Sequence, residues 1–588
     1  MSITLPITDR SGIGKESFLP YIVNTIHTQD SSIKSITFSF FVQALDKHKC
    51  ALYNEVEFKN IKENTMLTLE QMTPEQKLGR VLCFRSFIEE DDIEFALELV
   101  KNQACGCVQI PFNARTKELI AKYRAAAEYP LLIINDMEEG LPLSTLPKIP
   151  FISLAACNNP EYTKVFAAAI AKEARELGYS GCWSPIVDML HENKPCGVSR
   201  SPGDNPEAVS KIAKDILEVF ASYNFSGAAK HYPSCPCGPV DTHMIEGVSK
   251  ITEEELLNGP LVPYLELMKA GVMPSIMTGH EVLLNIDPDH PASLSKKVLD
   301  LLRDRGFDGV MFTDSLAMMG ILQKFGQKDS MAIALMAGND LLVTNIRRPN
   351  REIYEDMVQA YKEGKITDER LDEAVRRVMR LEEYCAREPE NPYPLPENAE
   401  EILNFIARDC ITAECDEGVD AAINPEEERL FVIVTPQDYI DDSEAGEIYF
   451  GEWYSPRAII NAINARFPKA TITTMREFPT ARENSNLLLE GAKYKKIVIV
   501  SYCDSYAYLG SDNLTRRMES VINALIHPGR VEAIVHFGNP LALENLYPVK
   551  RKIYAYKSPS STPYAFDVLA GIIPAKGTHP FPNLAKQK

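Results

Sequence analysis

The sequence predicts an α/β protein: a (β/α)8 TIM-type barrel followed by a smaller α/β three-layer sandwich domain. Three observations carry this. Between about residues 104 and 345, eight short apolar runs alternate with segments of helical period, close to the roughly 250 residues that such a barrel occupies. Polar residues gather at the C-terminal ends of those runs, namely Asp136, Asp188, Lys230, His231, His280 and Asp314, and a barrel carries its site on that face. A Pro/Glu-rich stretch then separates this region from one with buried-strand runs of its own. A doubly wound open sheet is the other arrangement for the first region, but no Gly-x-Gly-x-x-Gly turn or P-loop accompanies it.

Residues 1–66 form an N-terminal extension with a Gly-Ile-Gly turn at Gly12–Gly14 and a Ser/Thr-rich stretch from Ser31 to Ser39. Thr73, with Pro74 in the first turn and Glu75–Gln76 close behind, marks a helix start inside the barrel region, 67–386. The expected strands are Cys105–Phe112, Leu131–Asp136, Phe151–Ala156, Gly181–Asp188, Gly227–His231, Pro274–His280, Gly309–Asp314 and Asp340–Thr344. Helices are expected over Tyr162–Leu177, Pro206–Ser222 (with Asn205 as its cap), Glu253–Lys269, Ser295–Arg305 and Asp368–Tyr384. The linker, 387–402, holds four prolines and no apolar period. In the second domain, 403–588, strands are expected at Arg429–Thr435, Lys496–Tyr502, Val531–Phe537 and Lys552–Tyr556. Helices are expected there at Pro456–Arg466 and Asn513–Ile526.

Composition removes several function classes. Lys and Arg number 62 against 82 Asp and Glu, a net charge of −20 over 588 residues, with no basic run. Such a chain is repelled by phosphate backbones and anionic lipid, so neither nucleic acid nor membrane is an expected partner. No run approaches the roughly 20 apolar residues that span a bilayer. The 13 cysteines are an odd number, and the start, MSITLPITDRSG, lacks a basic segment followed by an apolar one. The expectation is a cytoplasmic protein with reduced thiols. Cys105-x-Cys107 and Cys235-x-Cys237 lack the four-ligand spacing of a zinc site, and no metal or cofactor is expected.

Two segments hold residues fit for chemistry. In AAKHYPSCPCGPVDTHM, Lys230 and His231 end a strand, prolines force a loop, and Asp241 and His243 follow two apart. Residues i and i+2 of an extended segment face the same way, so the carboxylate can orient the imidazole as a proton donor and acceptor. The other reading is an exposed loop histidine beside a capping aspartate. In DGVMFTDSLAMMGI, Asp314 ends a buried run, where it is either a helix cap or a carboxylate nucleophile at the barrel mouth.

Together these segments resemble glycoside hydrolase family 3, and within it the β-N-acetylglucosaminidase branch. Lys230-His231-Tyr232-Pro233 and Asp241-Thr242-His243 match its K-H-F-P and D-[ST]-H motifs, with thirteen residues from Lys230 to His243. Thr313-Asp314-Ser315-Leu316-Ala317-Met318 matches its nucleophile motif, and SRSPGDNPEAV, NDMEEG, TGHEVLLNIDPDHPASLS and ALMAGNDLLV match its flanking text. The similarity runs from about Met72 to Tyr384, with a weaker one over about 429–582. The resemblance implies a retaining, exo-acting hydrolase that removes terminal β-linked N-acetylglucosamine from small glycans or peptidoglycan fragments. It implies Asp314 as nucleophile and His243, oriented by Asp241, as acid/base. It assigns Asp136, Arg200, Lys230, His231 and His280 to the sugar, with a buried structural histidine as the other reading of His280. A phosphorylase and a β-glucosidase are its alternatives, and a sugar-binding protein without catalysis is a further one. The chain departs from the family pattern at Ser234-Cys235-Pro236, where G-H-G is usual, at Glu139 in place of a glycine, and at Leu141 in place of an arginine.

Overall fold

The computed structural model describes residues 66–86, 89–190, 197–234, 240–435, 454–503, 508, 513–556 and 559–586. Residues 1–65 of the extension, and Cys235, Pro236 and Cys237 of the altered loop, lie outside the described residues.

Eight parallel strands form the first sheet: β1 (Leu82–Arg85), β2 (Cys107–Gln109), β3 (Leu132–Asn135), β4 (Gly181–Cys182), β5 (Ser226–Tyr232), β6 (Ser275–Thr278), β7 (Val310–Thr313) and β8 (Leu342–Val343). Each pairs with its neighbours in chain order, and β8 pairs with β1. A parallel bridge from Phe312 to Leu341 closes the ring between β7 and β8. The interior is packed by Leu132, Ile134, Trp183, Phe312 and Val343, among others. It is sealed from the N-terminal end of the strands by Val378, Leu381 and Cys385 of the helix Asp368–Ala386. A sealed floor leaves the C-terminal mouth as the open side.

The strand count agrees with the sequence, but the membership differs. Leu82–Arg85 is a strand that the apolar pattern hides, because it starts one residue after α1 (Pro74–Arg80) and reads as a continuation of that helix. Phe151–Ala156, expected as a strand, lies in α2 (Phe151–Cys157). Its apolar run is continuous because it is buried on two sides. Phe151 and Leu154 enter the barrel core, while Ile152 and Ala156 enter the core of the second domain. These pairs are spaced i,i+3 and i,i+4, the helical spacing, and Asn158 ends the helix in the left-handed conformation. The expected helix over Glu253–Lys269 is broken at Gly259-Pro260 into Glu253–Asn258 and Val262–Ala270. The Thr73 and Asn205 caps form: the Thr73 side chain accepts from Gln76 N, and Asn205 from Glu207 N and Ala208 N.

No helix or strand covers 387–398, and a helix at Ala399–Asp409 leads into the second sheet. That sheet has six strands: β9 (Thr412–Cys415), β10 (Arg429–Thr435), β11 (Ala470–Arg476), β12 (Ile497–Cys503), β13 (Val531–Gly538) and β14 (Arg551–Tyr554). The spatial order is β9-β14-β13-β12-β10-β11, parallel except for β9 against β14. Helices Pro456–Arg466 and Thr562–Leu569 pack together, as do Ala481–Gly491 and Arg516–Ile526, and these pairs make the outer layers. The chain therefore crosses over at β10 and β12, the switch point of a doubly wound sheet.

Because Ile152 belongs to the core that joins barrel and sandwich, Ile152→Ala should cost about 2–5 kcal/mol of stability, read as a lowered urea midpoint with an unchanged slope.

Candidate active site

The carboxyl ends of β3 and β5 bring together a charged network. The Lys230 ammonium, 2% exposed, lies 2.6 Å from both Asp136 Oδ1 and Glu138 Oε1. Arg200 grips Glu138 with two bonds, Nε to Oε2 at 3.0 Å and Nη2 to Oε1 at 2.6 Å. Burial disfavours the charged forms of Lys230, Arg200 and Glu138, but their partners outweigh it. The Lys230 and Arg200 cations are held above their usual range, and Glu138 well below the usual carboxylate range. Asp136 is half exposed and presents its carboxylate to the mouth. Lys230 thus reaches a ligand mainly through the carboxylates that it fixes.

The bulge between Lys230 and Tyr232 in the β5–β6 register re-aims His231. Asp188 holds His231 twice, accepting from its backbone N–H and lying against Nδ1, both at 2.7 Å. Nε2 is left facing Asp314 Oδ2 at 3.8 Å. Burial opposes protonation of His231, but Asp188 and then Asp314 outweigh it, and the imidazole titrates above its ordinary value.

Asp314 sits one residue past β7, with Oδ1 accepting from Ser315 N at 2.6 Å. Burial alone would raise its carboxyl. The imidazoles of His231, His280 and His243, with the Ser315 N–H, reverse that and hold it well below the usual carboxylate range. Burial holds the His280 imidazole below its ordinary value, and His231 makes the largest contribution to holding the Asp314 charge.

The Asp241–His243 pair forms as the two-residue spacing suggests. Asp241 Oδ1 accepts from His243 N at 2.9 Å and lies 2.7 Å from Nδ1. The loop is docked on the segment after Asp314, with Met319 N donating to His243 O at 3.0 Å and Gly320 N to Thr242 O at 3.3 Å. A Cβ at residue 320 would sit 2.9 Å from Thr242 O, so glycine permits this approach. The His243 ring is 32% exposed, open to an incoming group.

His280 is 1% exposed, with Nδ1 against Ser293 Oγ at 2.8 Å and Nε2 against Ser315 O at 3.0 Å. Both ring nitrogens are used in supporting the Asp314–Ser315 turn, the arrangement of a buried structural histidine that the sequence offered as its other reading. Sequence reasoning also left out Glu138, although it stands two residues from Asp136 and so on the same side of an extended segment. It placed Asp188 at a strand end without giving it a role. Glu281 carried no signal. Its carboxyl folds over Gly279, where a Cβ would lie 2.4 Å from Oε2, and that oxygen is buried without a hydrogen-bond partner. Burial, reinforced by the Asp188 and Asp314 carboxylates, pushes the Glu281 carboxyl up to about 8. Leu141, at the departure from the family pattern, is buried. Among the described residues no group of three or more His, Cys, Asp and Glu is arranged to hold a metal ion.

These carboxylates and imidazoles, on the carboxyl ends of several strands of one barrel, are a set fit for acid–base and nucleophilic work on a polyol. A profile of the glycosyl hydrolase family 3 N-terminal domain matches residues 72–381, more than half of the sequence. The chain belongs to glycosyl hydrolase family 3. It is 28% identical over 333 residues to a beta-N-acetylglucosaminidase/beta-glucosidase of Cellulomonas fimi, which covers 53% of this chain and 58% of that protein. It is 28% identical over 239 residues to a beta-hexosaminidase of Tolumonas auensis, 39% of this chain and 71% of the relative. A family 3 beta-N-acetylglucosaminidase from Paenibacillus sp. str. FPU-7 shares the fold with a TM-score of 0.72 at 24% identity, over 87% of this chain and 99% of that one. A beta-glucoside phosphorylase does so at 0.72 and 20%, over 88% and 95%. The barrel-plus-sandwich architecture is common to these structures.

Glu281 gives a pH test with a definite sign. Folded, it keeps its proton to about pH 8, whereas its unperturbed value is 4.5. The native state therefore binds more protons than the unfolded one over that interval, and the parent loses stability as pH rises through it. Glu281→Gln removes this loss. The variant's urea midpoint should rise relative to the parent's between pH 5 and 8 and level off above; a difference independent of pH would contradict the assignment.

Proposed function

We propose that the protein is a retaining, exo-acting β-N-acetylglucosaminidase working on small glycans or peptidoglycan fragments. The observation that carries this reading is the Asp241–His243 pair docked against the Asp314 turn. Asp314, kept ionised by its neighbours, attacks the anomeric carbon and forms a glycosyl-enzyme. His243 gives a proton to the departing oxygen as that bond breaks, and then takes one from the water that attacks the intermediate. Asp241 fixes the tautomer so that Nε2 does both. In many retaining enzymes a second carboxyl about 5 Å from the nucleophile does this work; here an imidazole takes its place. Asp136, Arg200 and His231 orient sugar hydroxyls, and Lys230 and Glu138 fix Asp136 and Arg200 in turn. The hexosaminidase names of the curated relatives support the choice of glycone. Free thiols at every described cysteine support work in a reducing compartment, the cytoplasm.

A phosphorylase of the same glycone is the second reading. An imidazole in place of a carboxylate carries no negative charge to repel phosphate, and the guanidinium of Arg347 meets Tyr508, whose ring lies against His243. Product identity in phosphate and phosphate-free buffer separates the two readings, sugar 1-phosphate against free sugar.

The wild type should turn over an aryl β-N-acetylglucosaminide in preference to the β-glucoside and release the β anomer first. Asp314→Asn should lower kcat/KM by about 10³-fold or more. His243→Ala should cost about 10²–10⁴-fold on substrates whose leaving group needs a proton. Unchanged turnover in Asp314→Asn, or initial release of the α anomer, would overturn the reading.

A further inference from the structure

The carboxyl ends of β10 and β12 are the switch point of the sandwich sheet, the place from which such sheets present residues to a ligand. Tyr508 follows β12 in the chain. Its ring centroid lies 5.4 Å from that of the His243 imidazole, at an interplanar angle of 54°. The same tyrosine is tied to the barrel. Arg347, which follows β8, donates from Nη2 to the Tyr508 hydroxyl at 3.1 Å, and its guanidinium lies 5.3 Å from the ring centroid. Arg347 Nη1 also donates to Ala317 O at 3.4 Å, in the segment between Asp314 and the residues that dock the His243 loop. No described carboxylate pairs with Arg347, so its strongest described attachment is the tyrosine.

His243 needs such a brace. The bond from Nδ1 to Asp241 sets the tautomer, but one hydrogen bond leaves the ring free to tilt about it. Among the described residues, the partly exposed imidazole has no other side-chain hydrogen-bond partner, and its loop is docked through the main chain. An aromatic ring against it restricts that tilt and shields one side from water. Proton transfer to a leaving oxygen depends steeply on the direction of Nε2, so orientation here acts on rate.

We propose that Tyr508 is a positioning residue contributed by the sandwich domain, which, braced by Arg347, holds the His243 imidazole in its proton-donating orientation. The inference rests on the acid/base reading of His243. It extends that reading by making the second domain part of the catalytic device.

A leaving-group series tests it. Aryl N-acetylglucosaminides from 2,4-dinitrophenyl, which departs without a proton, to unsubstituted phenyl and alkyl, which need one, are compared for wild type, Tyr508→Ala, Tyr508→Phe and His243→Ala. Tyr508 is 42% exposed, so its truncation leaves the core intact. Tyr508→Ala should lower kcat/KM roughly tenfold to a hundredfold on the poor leaving groups and leave the dinitrophenyl substrate within about twofold. Tyr508→Phe, which keeps the ring but loses the hydroxyl bond to Arg347, should lose less than Tyr508→Ala on the same substrates. Truncating Tyr508 in the His243→Ala background should add no further leaving-group dependence. Equal losses on all leaving groups, or none on any, would overturn the proposal while a steep His243→Ala series left the acid/base reading standing. A flat His243→Ala series would overturn both.

Discussion

An ionised carboxyl at the edge of a dry barrel is unfavourable unless charge of opposite sign is fixed beside it, and that requirement at Asp314 organises the mouth of this protein. His231 makes the largest favourable contribution to the Asp314 charge, and Asp188 on its other side favours the protonated imidazole. Asp188 can do so because the β5 bulge turns the histidine toward it. His280 beneath uses both ring nitrogens to hold the turn. Glu281, placed among carboxylates, keeps its proton and so avoids adding a further negative charge against Asp314.

The second cluster, Asp136–Lys230–Glu138–Arg200, answers a different need. Its charges nearly cancel, so it can be buried, and what it shows to the mouth is an oriented carboxylate and part of a guanidinium. In a chain of net charge −20, these cations do not steer an anionic ligand. They fix the acceptors and donors that a neutral polyol meets. The acid/base pair sits on a loop that docks on the segment after Asp314 through main-chain bonds and a glycine contact, and Asp241 is the charged group hydrogen-bonded to His243.

The fold was legible where the pattern suits its element. Barrel strands, buried on both faces, read as short continuous apolar runs, and the long amphipathic helices show one buried stripe. The pattern failed at α2, which is buried by two domains at once and so lost its period, and at β1, which is too short and too close to α1 to show a period of its own. The site was legible where partners are neighbours in sequence: Asp241 and His243, or Asp314 at the end of its run. Glu138 was within reach of the same spacing argument. Asp188 on His231, Glu281 over Gly279, and Tyr508 on His243 were not, because those pairings are made by strand order and by the packing of the sandwich on the barrel. No local pattern records them. The sequence left His280 with two readings for a related cause: a histidine at a strand end looks alike whether its ring faces the mouth or the turn below.

Peptide mass spectrometry after reaction with a fluorinated N-acetylglucosaminyl probe, which forms a glycosyl-enzyme quickly and loses it slowly, asks directly whether Asp314 is the nucleophile. One sugar adduct per chain on the peptide carrying Asp314, absent in Asp314→Asn and discharged on transfer to an acceptor, is the predicted result. An adduct on another carboxylate, or turnover of the aryl substrate with no adduct at all, would contradict the account.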